Sequence, residues 1–203
     1  MIEKHILSKS TFIRGIQCHK SLYLYQNEKK LRDPVSDQHQ AIFDQGTNVG
    51  LLAQKLFTGG IDCSPENFWN SQESVVKTKA AIEAGHTIIY EAAFQYDGVL
   101  ALLDILVKDN EGWKAYEVKS STSVSETYEL DATIQSYVIR NSGIDLNDVS
   151  LVHINNQYVF DGVLDVRQLF TIQSVKERVD ELLPIIPRQI SILKQVLIQK
   201  EVP

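Results

Sequence analysis

Apolar residues recur at helical spacing through the first third of the chain and then switch to alternation. In "LSKSTFIRGIQCHKSLYLYQ", Phe12, Ile16 and Leu22 lie near one stripe, as on a helix with a single buried face. Ser8 or Ser10 stands where such a helix needs an N-cap. "KLRDPVSD" is polar, contains a proline and reads as a loop. "QHQAIFDQGTNVGLLAQKLF" gives a second helix with Ile42, Val49, Leu52, Ala53 and Leu56 turned inward, stopped by Gly59-Gly60. "NSQESVVKTKAAIEAG" gives a third, ended by Gly85.

Strands follow. "TIIYEAAFQY" runs into Asp97-Gly98, a strong hairpin dipeptide. "VLALLDILVK" runs into the turn "DNEG", and "WKAYEVKSS" closes the set. "SETYELDATIQSYVIRNSG" reads as a helix ended by Gly143, and "DVSLVHIN" and "YVF" read as further strands. The tail from "LFTIQS" to "LIQK" has helical spacing, broken or kinked into two pieces at Pro184 and Pro187. The expected fold is α/β: a central mixed sheet of about four or five strands flanked by helices. It forms a single domain over residues 1–203, with a helical part over 8–85, a core over about 86–156 and a helical tail over 170–200. The tail stops at "KEVP" without a cap, which reads as the front part of a longer protein whose further domains would be partners in the same polypeptide.

Composition narrows the class. A chain of 203 residues buries a sizeable core. It has no run apolar enough to span a membrane and no secretory leader, so a cytoplasmic protein without a membrane partner is expected. Two cysteines, Cys18 and Cys63, make no disulfide framework. A net charge of −6 argues against a surface coated in nucleic acid but leaves room for a local basic groove. There is no glycine-rich phosphate loop for an ATP-driven motor, and no Ser/His/Asp or Cys/His arrangement. His39, His86 and His153 share no metal-ligand spacing and read as structural.

The chemistry gathers on one hairpin. With the turn centred between Asn110 and Glu111, Asp109 pairs with Gly112, and counting outward sets Asp104 opposite Glu117. Alternation puts Asp104 with Leu102 and Leu106, and Glu117 and Lys119 with Ala115, while Leu103, Ile105, Tyr116 and Val118 form a core face. Like charges facing each other are destabilising, and a buried carboxylate needs a partner, a proton or a metal. A divalent cation satisfies both, since carboxylates are ligands that Mg²⁺ and Mn²⁺ prefer. A structural salt bridge to Lys119 is the alternative.

The stretch "LLDILVKDNEGWKAYEVKSS" resembles the PD-(D/E)xK nuclease pattern, in the variant of RecB-type and CRISPR-associated RecB-like exonucleases. There an Asp ends the second core strand, Glu-x-Lys lies on the third, and a following helix carries a Gln, here Gln135. The order helix, three strands, helix, strand also fits that family's restriction-endonuclease-like core. The segment around Cys18 resembles the entry segment of these enzymes, where in iron–sulfur members the cysteine joins three others near the C-terminal end. Cys18 is thus a possible cluster ligand in a longer protein, and no intact iron–sulfur cluster is expected in this chain. Two departures stand out. Gly50 occupies the place of the family's His after Gly-Thr, and Ile139 stands where the Tyr of Gln-x-x-x-Tyr belongs, with Tyr137 nearby.

The resemblance implies a Mg- or Mn-dependent deoxyribonuclease, with single- or double-stranded DNA left open. Asp104, Glu117, Lys119 and Gln135 would be catalytic. Asp104, Glu117, the Val118 carbonyl and Glu91 would hold the metal. Lys9, Arg14, Lys20, Ser120, Ser121 and Tyr137 would touch nucleic acid. The alternatives are a nuclease-fold module that binds nucleic acid or a protein partner without cutting, and a docking domain in which the cluster is only an ion-pair network.

Overall fold

The structure, a computed structural model, describes residues 5–67 and 70–203. One seven-stranded mixed sheet runs through it. Its centre is an antiparallel meander of β3 (Ile88–Tyr96), β4 (Val99–Asp109) and β5 (Gly112–Lys119). The first hairpin turns at Asp97 and Gly98, whose φ values of 47° and 66° are both left-handed, the geometry of a two-residue turn that matches strand twist. In the second, Asp109 pairs with Gly112 and the ladder runs to Ile105 and Tyr116, the expected register. Helix α5 (Glu126–Asn141) then crosses to β6 (Leu146–Ile154), parallel to β5. With α4 (Ser71–Glu83) ahead of the meander, the order helix, three strands, helix, strand is the one found.

The sheet is wider than expected because short strands extend it. β2 (Ile61–Asp62) pairs with β3, and β7 (Phe170–Ser174) pairs with β6 at the far edge. Residues 170–174, read above as helical tail, are therefore a strand, while "YVF" is an irregular exposed loop with Val159 80% exposed. The first helix is also two helices. α1 (Lys9–Gln17) ends at Cys18, whose extended backbone starts α2 (His19–Asn27) and whose thiol caps the Ser21 N–H. A single turn, α6 (Val166–Leu169), leads into β7, and the tail breaks at its prolines as expected, into α7 (Lys176–Leu182), a 3₁₀ turn and α8 (Ile186–Ile198).

Helices cover both faces. The larger core packs Phe12, Leu22, Ile134, Ile139, Ile190 and Leu193 against one face, each fully buried or nearly so. Such burial stabilises by about 1.5–3 kcal/mol per large side chain. A smaller cluster lies under α3 (Asp37–Gln54), where Val49, Leu52, Ala53 and Leu56 meet Ile105 and Val152. Ile42, expected to face inward, is 57% exposed, as is the whole N-terminal part of α3 over residues 37–48. Among the described residues no helix is long and apolar enough to cross a membrane.

Candidate active site

Alternation breaks where the chemistry lies. On β3, Ile89, Ala92 and Phe94 all belong to the larger core, as do Leu106, Leu103 and Ala101 on β4. Each strand therefore changes face in between, at Glu91 and Asp104, which lie opposite each other between the pairs Tyr90–Ile105 and Ala92–Leu103. Glu91 takes a left-handed φ of 52°, uncommon outside glycine and a recurrent mark of functional sites. This corrects the simple alternation above: Leu103 and Ile105 belong to opposite faces.

The strands also part here. β1 (Leu7–Ser8) pairs with Val99 and Leu100 on the edge of β4 that β5 occupies further along. Between the two partners the ladder is open, and side chains bridge it. The Val118 N–H donates to Asp104 Oδ2 at 2.6 Å, and Gln135 Nε2 donates to the Leu102 carbonyl at 2.9 Å. Because Ser8 both ends β1 and caps α1, the next residue, Lys9, is delivered straight into this gap.

The result is a buried charge network. Glu117, 3% exposed, receives Lys9 at 2.6 Å and Lys119 at 2.8 Å on Oε1, and Gln135 Nε2 at 2.6 Å on Oε2. Asp131 holds Lys119 at 2.6 Å and lies 3.6 Å from Lys9. The Lys119 ammonium also sits 5.1 Å from the centre of the Tyr128 ring. Burial alone would raise the Glu117 carboxyl, but Lys9 and Lys119 more than offset it and bring it down to about 2. Burial opposes charge on Lys119 too, yet Glu117 and Asp131 hold its ammonium well above the ordinary lysine range. Asp104 goes the other way: burial, then the neighbouring Glu117, push it well above the carboxylate range. Glu91 is raised to about 7 by burial, then by Asp62 and Glu117.

Glu91, Asp104, Glu117 and Val118 line one cleft of about 1010 Å³. Its walls are Ser8, Ser10 and Thr11 on one side, Gly46, Thr47, Gly50 and Gln54 of α3 on another, with Tyr25 and Arg32 also lining it. Arg32 lies over the Tyr25 ring at 3.7 Å, with Arg14 at 4.4 Å from the same ring. Arg32 is held there by donating to the Tyr25 carbonyl, and Arg14 by donating to the Ser21 hydroxyl at 2.9 Å.

The structure thus brings Asp104, Glu117, Val118, Lys119, Gln135 and Glu91 together. Lys9, expected at a nucleic-acid surface, belongs to this network instead. Arg14 and Lys20 are exposed on α1 and α2. Ser120 is exposed and Ser121 donates to the Ser123 carbonyl, so both belong to the bend after β5. Tyr137 is not at the site. It packs edge-on against Tyr96, ring centres 5.7 Å apart, by the β3–β4 turn, because two residues beyond Gln135 the helix has turned away. Cys18 is exposed and Cys63 buried. Asp131 was missed, although its i,i+4 spacing to Gln135 puts both on one helix face.

A hard divalent cation fits the donors present. Asp104 Oδ1 and the Glu91 carboxylate accept no hydrogen bond among the described residues, both residues line the cleft, and burial with neighbouring acids raises both carboxyls. Among the described residues no three His, Cys, Asp or Glu side chains form a ready cage, and two lysines and Gln135 engage Glu117.

No family model and no curated protein matches the chain. Among solved structures it is similar to a protein designated SSO0001, at 12% identity over 95% of this chain and 78% of that one, with a TM-score of 0.49. It is also similar to a phage-related exonuclease from Haemophilus somnus 129PT, at 11% identity over 95% of this chain and 94% of that one, with a TM-score of 0.41.

Proposed function

We propose that this chain is a metal-dependent nuclease domain of the PD-(D/E)xK type that hydrolyses phosphodiester bonds of DNA. The observation that carries the reading is the meeting of Asp104 and Glu117, the latter held by Lys119, on one cleft with Glu91, whose carboxylate accepts no hydrogen bond among the described residues. Asp104 and Glu91, with the remaining lone pair of Glu117 and the Val118 carbonyl, would hold Mg²⁺ or Mn²⁺. When bound, the ion supplies Lewis-acid polarisation of the phosphate and a lowered pKa for water. Glu117 and Asp131 favour a charged Lys119, which would orient water and offset charge on the phosphate. Gln135 fixes the Glu117 carboxylate. The Arg14–Tyr25–Arg32 stack gives the strand a cationic lip.

The test is Mn²⁺-dependent cleavage of linear single-stranded DNA by wild type, Asp104→Asn and Lys119→Met, with Mn²⁺ binding on the same samples. Each variant is expected to lose about a hundredfold or more in rate, and Asp104→Asn to lose metal as well. Wild type that neither binds Mn²⁺ nor cuts would end this reading.

A second reading has its own observation. Gly50, at the place of the family's His, lines the cleft, and a Cβ there would meet nothing within 4 Å. The room for a further ligand is left open, as suits a module that binds nucleic acid without cutting it. Mn²⁺ and DNA binding without cleavage would favour that reading.

A further inference from the structure

We infer that Lys9 is the second cation of this site, so that the centre takes one divalent ion rather than two. The inference rests on the metal-dependent reading above and concerns how the chain prepares for the ion. Glu117 Oε1 accepts two ammonium groups, Lys9 at 2.6 Å and Lys119 at 2.8 Å, which uses both of its lone pairs. Oε2 accepts Gln135 and keeps one. Glu117 can therefore meet one ion at most and cannot bridge a pair, while Asp104 keeps Oδ1 free, so the count turns on the charge that Lys9 adds.

Charge leads to the same number. The buried and half-buried carboxylates are Glu91, Asp104, Glu117 and Asp131, and they face two ammonium groups, Lys9 and Lys119. With all four ionised, as a bound cation would make them, the difference is the charge of one divalent ion. Asp62 and Glu66, which also line the cleft, are exposed, so water screens most of their charge, although Asp62 still helps to raise Glu91.

Lys9 is held for this role and is not a passing contact. It is the first residue of α1, fixed by the Ser8 cap behind it and by β1 pairing before that, and its side chain is only 21% exposed. A lysine needed only to balance Glu117 would duplicate Lys119, which already does so from the neighbouring strand position.

The experiment counts Mn²⁺ on the full chain by calorimetry and by the electron paramagnetic resonance of free Mn²⁺. It compares wild type, Lys9→Met, Lys9→Arg and the distant surface variant Lys79→Met. One Mn²⁺ is expected on wild type, Lys9→Arg and Lys79→Met. Lys9→Met should take a second ion, or bind one at least about tenfold more tightly, because a unit charge beside the ion is gone. A folded Lys9→Met with one Mn²⁺ at wild-type affinity would overturn the assignment. So would two Mn²⁺ on wild type, a result that stands even if Lys9→Met does not fold. No Mn²⁺ on wild type would instead sink the metal-dependent reading, and this assignment with it.

Discussion

Glu91 shows most directly what the site costs the fold. It sits in left-handed backbone within an otherwise apolar strand, and its carboxyl is raised from 4.5 to about 7. An acid whose folded pKa lies above its unfolded one binds more protons when folded, so stability falls as pH rises between the two values. Stability that is full below pH 4.5 is lost as the pH passes through about 7. Metal-free protein in EDTA should therefore melt lower at pH 8 than at pH 5, by roughly 5 °C. Glu91→Gln should make that dependence shallower, leaving the part that Asp104, raised in the same direction, contributes, and thermal melts of both proteins across the range decide it; parallel curves would mean that Glu91 is solvated. Asp104, Glu117 and Lys119 were legible in the sequence because one short turn fixes their register. Lys9 was not: it reaches Glu117 from 108 positions away through a two-residue strand that no periodicity announces. Asp131 was legible in principle, through its spacing to Gln135.

At the scale of elements, segments with a clear buried face were readable and those without one were not. The central strands and α5 carry long apolar patterns. β7 buries only Phe170, so "FTIQS" has no alternation to read, and its strand state comes from pairing with β6. "YVF" has strand-forming side chains but no partner strand, and stays exposed. α3, which walls the cleft, docks through little apolar area and is fastened at its end by Tyr90, next to Glu91. The Tyr90 hydroxyl donates to the Phe57 carbonyl and accepts the Gly60 N–H at 3.1 Å. Gly60 must be glycine for this approach, since a Cβ there would come within 2.4 Å of the Tyr90 ring. Tyr90→Phe should cost about 1–2 kcal/mol in urea denaturation, and Gly60→Ala should cost more. A Gly60→Ala protein as stable as wild type would show that the clamp is not what holds α3.

For the whole molecule the decisive quantity is charge. The chain carries a net −6, and the cleft is lined by Asp62, Glu66, Glu91, Asp104 and Glu117, so its field repels a phosphodiester. Opposing this would be a cation bound at the site, together with the lip of Arg14 and Arg32. Nucleic-acid binding should then depend on a divalent ion before any bond is cut. In fluorescence anisotropy with a labelled single-stranded oligonucleotide, Ca²⁺ in place of EDTA should tighten binding at least about tenfold, on the scale of unit charges a few ångströms apart. With Arg14 and Arg32 as the basic pair at the lip, affinity should fall only gently with salt. Two phosphate contacts on a single strand give a log–log slope of about −1.4, and Arg32→Gln should bring it to about −0.7. Arg32 is exposed and its loss leaves the core intact, so weaker binding by this variant would report the lip and not the fold. Tight binding in EDTA, indifferent to Arg32→Gln, would mean that nucleic acid approaches by a different face and that the acidic cleft serves some other ligand.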